Sequence, residues 1–120
     1  MRDRIAGFDV EQRDGVAVAT LEGEIDGSNA AELRLALSER LPSASSGLVL
    51  DLSQVTYLDS SGIHLLFDLG RRLAARRQAL RLVVPAGAPM RRVLELCAVG
   101  SVAPMDEELD TSLQALVTAD

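Results

Sequence analysis

The pattern of apolar and polar positions changes in character halfway along the chain. Residues 48–52 read Leu-Val-Leu-Asp-Leu, a run that is apolar except for Asp51, and such a run is typical of a strand buried on both faces. Further on, apolar positions recur at the spacing of one helical face: Ile63, Leu66, Phe67, Gly70, Leu73 and Ala74. The pattern therefore predicts a central strand and then a helix that starts between Asp59 and Gly62.

The first third of the chain shows a strand pattern followed by a helical one. Residues 8–12 and 16–21 are rich in β-forming residues and flank Asp14-Gly15, a dipeptide that favours a tight hairpin turn. A helix is expected to begin at Ser28 or Asn29, because Asn29 with Glu32 has the spacing of a capping box. Its predicted inward stripe consists of Ala30, Leu33, Leu37 and Leu41.

The second half predicts alternating strands and helices. We expect a strand at 80–84 that ends at Pro85, and then a helix from Pro89 or Met90 to Gly100. A short strand is expected at 102–103, limited by Pro104. The last expected helix has the acids 106–108 in its first turn, and its inward residues are Leu109, Leu113, Leu116 and Val117. The order β-β-α-β-α-β-α-β-α predicts an α/β fold with four helices and a mixed, mainly parallel sheet of four to five strands.

Length and composition narrow the class of protein. A chain of 120 residues, 48% hydrophobic and 25% charged, predicts a single globular domain over residues 1–120. The formal charge of −6 and the presence of only three aromatic residues argue against a nucleic-acid partner. Residues 1–4 lead into no secretory signal, and no run has the length of a membrane span, so we expect a cytoplasmic protein without membrane insertion.

Few side chains are available for metal binding or redox chemistry. Cys97 is the only cysteine and His64 the only histidine, which argues against a metal site. Cys97 lies in an apolar helical pattern and is expected to be a small buried residue. We therefore expect no metal and no cofactor.

The polar segment Asp59-Ser60-Ser61-Gly62 joins the predicted central strand to its helix. The simplest interpretation is that one of its polar residues caps the helix and that Gly62 allows close packing. Two adjacent hydroxyls and a carboxylate exceed what one cap needs, and the carboxyl end of a parallel strand is where α/β sheets place their sites. The segment is therefore also the strongest candidate for a functional site.

This segment, after a strand of the form Val-Leu-Asp-Leu, resembles the phosphorylation loop of STAS domains, and in particular that of the bacterial anti-sigma-factor antagonists. A second match covers residues 21–33, which resemble the Gly-Glu-hydrophobic-Asp segment of that family, and residues 92–96 extend the similarity. Both motifs in order are far more specific than Asp-Ser-Ser-Gly alone.

The resemblance implies a STAS-like fold and a partner-switching function. The unphosphorylated form would bind an anti-sigma factor that is also a serine protein kinase and thereby release the sigma factor. Phosphorylation at Ser60 would switch binding off, and a phosphatase would reset it. The resemblance further implies a partner-binding or phosphorylation loop: Asp26, Ser28, Asn29, Asp59, Ser61 and Gly62.

Other interpretations of the same residues stay open. A STAS module could bind a nucleotide or another anionic ligand at this loop, or act in a stress-signalling complex. An enzyme is disfavoured, because His64 four residues after Ser60 has no evident orienting partner or oxyanion site, and no catalytic residue is assigned. Four arginines on the following helix favour a solvated face, although they could form an anion patch: Arg71, Arg72, Arg76 and Arg77.

Overall fold

The computed structural model describes residues 7–117 and has the predicted order of strands and helices. The predicted absence of a secretory signal rests on residues 1–4, which lie outside the described residues, as do both ends of the predicted 1–120 domain. The strands are β1 (Gly7–Arg13), β2 (Val16–Ile25), β3 (Gly47–Leu58), β4 (Ala79–Val83) and β5 (Met105–Asp106). The helices are α1 (Ala30–Arg40), α2 (Ser60–Ala75), α3 (Arg91–Leu96) and α4 (Leu109–Val117).

The five strands form one sheet in the order β1-β2-β3-β4-β5. β1 pairs with β2 in antiparallel register, and the other neighbours are parallel, which confirms the mixed, mainly parallel sheet. The predicted hairpin is confirmed at Asp14 and Gly15, whose φ values of 53° and 80° give the left-handed backbone that two-residue hairpin turns require. β3 runs beyond the predicted 48–52, and its second half pairs with β2 only.

Side chains alternate between two apolar layers on opposite faces of the sheet. Leu48, Leu50 and Leu52 belong to the large core under α1 and α2, whereas Val49 belongs to a smaller cluster with Leu116 of α4. Because successive strand residues point to opposite faces, a nearly continuous apolar run fills both layers. The prediction that this strand is buried on both faces is confirmed.

The two helices beside the candidate site pack on the larger core. The predicted α1 stripe is confirmed, since Ala30, Leu33, Leu37 and Leu41 are all buried. The α2 stripe was only partly correct. Ala74 is exposed and Ile63 and Phe67 are half-buried, because the helix is rotated so that a neighbouring line of residues faces the sheet: Gly62, Leu65, Leu66, Leu69, Gly70 and Leu73.

The prediction that α3 continues to Gly100 is wrong. The helix ends at Leu96, and Ala98 then adopts a left-handed conformation with φ of 59° before a 3-10 turn over Val99–Ser101. Cys97 is exposed, so the prediction of a buried thiol is also wrong. The apolar pattern extends past the end of the short helix, and exposed Leu96 shows that its last turn presents apolar side chains to solvent.

The last strand lies further along the chain than predicted. It consists of Met105–Asp106 and not of residues 102–103, so Pro104 precedes the strand, and its carbonyl accepts a hydrogen bond from Leu82 N–H at 2.9 Å. Asp106 therefore belongs to β5, and α4 begins only at Leu109. Leu116 is buried as expected, whereas Val117 is exposed, which corrects the predicted inward stripe of α4.

Candidate functional site

The sheet brings the two predicted motif segments together at one edge. β2 and β3 are parallel neighbours, and Ile25 at the end of β2 is in register with Leu58 at the end of β3. The N–H of Asp59 donates a hydrogen bond to the carbonyl of Ile25 at 3.2 Å. Because β2 and β3 both end at this edge, the segment after β2, which starts at Asp26, lies beside the segment after β3.

Asp59 is the N-cap of α2. Its Oδ1 accepts hydrogen bonds from the N–H groups of Ser61 at 2.8 Å and Gly62 at 3.3 Å, which satisfies two of the donors that a helix N-terminus leaves unpaired. Ser60 is the first residue of the helix. The cap is thus supplied by the carboxylate, and neither serine hydroxyl is needed for it.

The two serines have different surroundings. Ser60 is exposed, whereas Ser61 is half-buried. The hydroxyl oxygen of Ser61 lies 3.4 Å from the position that a Cβ on Gly27 would occupy, so this side chain faces the segment after β2. Ser60 is therefore the more accessible hydroxyl at this edge.

Gly62 permits the close approach of α2 to the end of β3. A Cβ at this position would lie 2.6 Å from Cγ of Leu58 and 3.3 Å from Cγ2 of Ile25, so any larger residue would displace the helix or these core side chains. The expectation of close packing at Gly62 agrees with this geometry. The glycine holds the first turn of α2 directly over the carboxyl ends of β2 and β3.

The segment between β2 and α1 is braced by its own side chains. Oδ1 of Asp26 accepts hydrogen bonds from N–H and Oγ of Ser28 at 2.9 and 2.6 Å. Asn29 is buried; its Oδ1 accepts from Asp26 N–H at 3.0 Å and its Nδ2 donates to the carbonyl of Glu24 at 2.8 Å. These bonds hold Asp26 in place beside the start of α2.

The predicted capping box at Asn29 and Glu32 is wrong. Asn29 occupies the N-cap position of α1, but its side chain makes no cap hydrogen bond to the helix. The carbonyl of Asp26 instead accepts from the N–H groups of Asn29 and Ala30. The side chain of Asn29 is used to tie the segment to β2, a tertiary role that residue spacing does not indicate.

A groove with a volume of about 360 Å³ runs between α1 and α2 from this edge. Asp68 lies on its wall. Its Oδ2 accepts a hydrogen bond from Arg72 Nε at 2.9 Å and forms an ion pair with Arg34, whose Nε lies 3.3 Å away. The groove was not predicted, because it is formed between two helices and Arg34 comes from a different helix than Asp68 and Arg72. Its lining comprises Gly27, Ala30, Ala31, Arg34, Ser61, His64, Leu65, Asp68, Arg71 and Arg72.

The four arginines near the end of α2 divide into two pairs. Arg71 and Arg72 line the groove. Arg76 and Arg77 follow the last residue of α2, are exposed, and do not line the groove. All four arginines are exposed, so the interpretation as a solvated face fits both pairs. The first pair lies on the same groove as Ser61.

A clear electrostatic perturbation lies away from this edge, at Asp106. Burial alone would raise the pKa of its carboxyl, but hydrogen bonds from Arg81 and Ser112, with the charges of Arg81 and Arg91, hold that pKa below its usual value. Arg81 contacts both carboxylate oxygens, at 2.9 and 3.2 Å. This network joins β4, β5 and α4, and it supports the fold and not the candidate site.

The five-stranded sheet and the site at the ends of β2 and β3 are those of a known protein family, which comparison with known sequences also identifies. The model of the STAS domain family matches residues 7–112, and the chain belongs to that family. The resemblance predicted from the two motifs is thereby confirmed.

Two relatives of the chain are anti-sigma factor antagonists. The chain is 35% identical over 88 residues to the anti-sigma-F factor antagonist RsfB of Mycobacterium tuberculosis, covering 72% of this chain and 70% of that protein. It is similar to the crystal structure of an anti-sigma factor antagonist from Mycobacterium paratuberculosis, with a TM-score of 0.81 and 31% identity over 92% of each chain.

More distant structures share the fold. The unphosphorylated form of the anti-sigma factor antagonist SpoIIAA aligns with a TM-score of 0.70 and 22% identity, covering 95% of this chain and all of that one. Within residues 7–117, no helix has the length and apolar character needed to span a membrane.

Proposed function

We propose that this chain is an anti-sigma-factor antagonist of the partner-switching kind. In its unphosphorylated form it binds an anti-sigma factor that is also a serine protein kinase, so that the sigma factor is released. Phosphorylation of Ser60 ends this binding, and a phosphatase restores it. A cytoplasmic location follows from this role, because sigma factors act there on RNA polymerase.

One observation carries the proposal: an exposed serine starts α2 in a turn whose cap is already made. Asp59 caps the helix with its carboxylate, so Ser60 can be modified without the loss of a hydrogen bond that α2 requires. Ser61 is half-buried and faces Gly27. The exposure of Ser60 supports its assignment as the phosphate acceptor.

The neighbouring segment after β2 supports a shared partner surface. Asp26 is held beside α2 by the carboxylate bonds to Ser28 and by the amide of Asn29. We propose that a partner contacts this segment and the segment from Asp59 to Gly62 at once. A modification at Ser60 would then lie within the interface.

The switch follows from charge. A phosphate on Ser60 adds a charge of roughly −1.5 to −2 next to Asp59. The N-terminus of α2 favours an anion by about 0.3–1 kcal/mol when exposed, so the fold tolerates the group. A partner surface that accepts a neutral serine would have to desolvate the phosphate, and a loss of about 3 kcal/mol weakens binding more than a hundredfold.

We further propose that the site acts by binding and not by catalysis. A serine nucleophile needs a base that is itself oriented by a third group. Among residues 7–117, no carboxylate hydrogen-bonds His64, the only histidine available as a base for Ser60. A substrate screen that found Ser60-dependent turnover would contradict this part of the proposal.

The test is a phosphorylation assay with candidate anti-sigma kinases from the same genome and ATP, with the modified residue mapped by mass spectrometry. We expect the phosphate on Ser60, no modification of Ser60→Ala, and full modification of Ser61→Ala. Stoichiometric phosphate on Ser61 in the Ser60→Ala variant would contradict the assignment. Titration with nucleotides in the absence of a kinase tests the alternative of a STAS module for an anionic ligand.

A further inference from the structure

The groove between α1 and α2 carries a surplus of positive charge in a chain whose formal charge is −6. Among the described residues that line it, Asp68 is the only carboxylate, and it is shared by Arg34 and Arg72. Arg71 also lines the groove and makes no ion pair with any residue in the range 7–117. Three guanidinium groups against one carboxylate leave a surplus of two positive charges.

Small residues give the groove its room. Gly27, Ala30 and Ala31 line the α1 side, and a volume of about 360 Å³ lies at the lower end of the range for binding sites. None of the described lining residues is Phe, Tyr or Trp, so the groove lacks the large aromatic side chains on which nucleotide bases stack best. Its size and chemistry suit one or two anionic side chains.

The position of the groove connects it to the surface proposed for the partner. Ser61 lines the groove and directly follows Ser60. A partner that covers Ser60 would therefore lie next to the end of the groove at Ser61. Side chains from that partner are the groups best placed to enter it.

We propose, building on the proposed function, that the groove receives a carboxylate side chain from an acidic segment of the anti-sigma partner. Arg71 is the anchor, because its guanidinium is not engaged by Asp68, and a planar guanidinium matches a carboxylate with two parallel hydrogen bonds. Arg34 and Arg72 add to the attraction while they stay paired with Asp68. Arg71 is thus a residue that determines which partners bind.

This arrangement also gives phosphorylation a second effect. A phosphate on Ser60 would place a strong anion near the Ser61 end of the groove, where it repels an incoming carboxylate. Loss of affinity would then come from lost attraction in the groove as well as from desolvation at Ser60.

The test compares Arg71→Glu with Arg76→Glu. Both replacements change the charge of the chain by the same amount, but Arg76, which directly follows α2, is exposed and does not line the groove. Affinity for the anti-sigma factor that the wild-type chain binds is measured by calorimetry at about 50 mM and about 500 mM salt, between which the screening length falls from roughly 14 to roughly 4 Å. We expect Arg71→Glu to weaken binding at least tenfold at low salt, and Arg76→Glu to change it less than about twofold.

A charge-swap experiment identifies the carboxylate. Each acidic residue of the partner is changed to lysine, and one such variant should recover most of the affinity lost in Arg71→Glu, as a double-mutant cycle requires for a direct pair. Circular dichroism and melting curves check that each variant is folded, which we expect because Arg71 is exposed.

Four results would overturn the inference. Equal weakening by Arg71→Glu and Arg76→Glu would mean that long-range charge and not the groove is sensed, and unchanged binding by both would remove the anchor. ATP binding that depends on Arg71, with unchanged partner affinity, would make the groove a small-ligand site. If the wild-type chain itself binds no anti-sigma factor, the proposed function fails and this inference with it.

Discussion

Replacement of Ser60 by aspartate should abolish partner binding and leave the fold intact, whereas replacement by alanine should preserve both. The reason is that Asp59, and not Ser60, caps α2. Ser60→Ala therefore loses no cap, and alanine is the better helix former by up to about 0.5 kcal/mol. Both variants should remain folded proteins with a fully formed α2.

The energetic effect of aspartate on the fold is close to zero. A carboxylate in the first turn of α2 gains about 0.3–1 kcal/mol from the helix dipole. Its repulsion from Asp59 opposes this gain, since two unit charges a few ångströms apart in water repel by less than about 1 kcal/mol. These terms nearly cancel, so we expect the melting temperatures of both variants to lie within about 4 °C of the wild type.

The effect on affinity is much larger. In the complex the new carboxylate is desolvated without an opposite charge beside it. We expect a cost of about 3 kcal/mol, which corresponds to a more than hundredfold increase in the dissociation constant. Calorimetric titration against the anti-sigma factor measures this difference. Ser43→Asp is the matched control, because Ser43 is exposed on the loop before β3, far along the sheet from Ser60; it should bind like the wild type.

Two outcomes of the titrations would contradict the switch mechanism. If folded Ser60→Asp binds as tightly as Ser60→Ala, charge at this position does not control association, and the switch mechanism is wrong. If Ser43→Asp weakens binding as much as Ser60→Asp, the effect reflects the net charge of the chain and not the position.

Three further predictions concern stability, each measured by urea unfolding. Asp59→Ala should lower the free energy of unfolding by about 1 kcal/mol through loss of the N-cap, whereas Asp59→Asn, which keeps an accepting oxygen, should cost much less. Gly62→Ala should cost about 1–3 kcal/mol, because its methyl group would lie 2.6 Å from Cγ of Leu58; a neutral effect would show that the helix end yields freely. Asp106→Asn should cost roughly 1.5–3 kcal/mol at neutral pH. Because the pKa of Asp106 is lowered in the folded state, its contribution is complete above the ordinary value of about 3.9 and is lost as the pH falls through the lowered pKa, so the gap between this variant and the wild type should narrow in acid.

The elements whose signals are local could be predicted from the residues alone. Asp14-Gly15 predicted the hairpin because few other dipeptides tolerate two left-handed residues. The apolar run at 48–52 predicted a strand buried on both faces, and the change to helical spacing predicted α2 beginning at the Asp59 motif. Both motifs also carried the STAS resemblance, since motif order and spacing are properties of the chain alone.

The positions of other elements depend on contacts between residues that are distant in the sequence. Pairing of Leu82 and Val83 with Met105 and Asp106 placed β5 beyond Pro104, and an ion pair with Arg81 kept Asp106 out of α4, where its charge pattern had suggested a helix start.

The candidate site shows the same division. The family resemblance grouped Asp26 with the residues around Ser60, and the parallel pairing of β2 and β3 gives the physical reason that the two segments lie side by side. Arg34 reaches Asp68 because α1 packs against α2, and no periodicity within either helix contains that information. Local patterns report on neighbours within a few residues, whereas a groove between two helices is made by the packing that joins them.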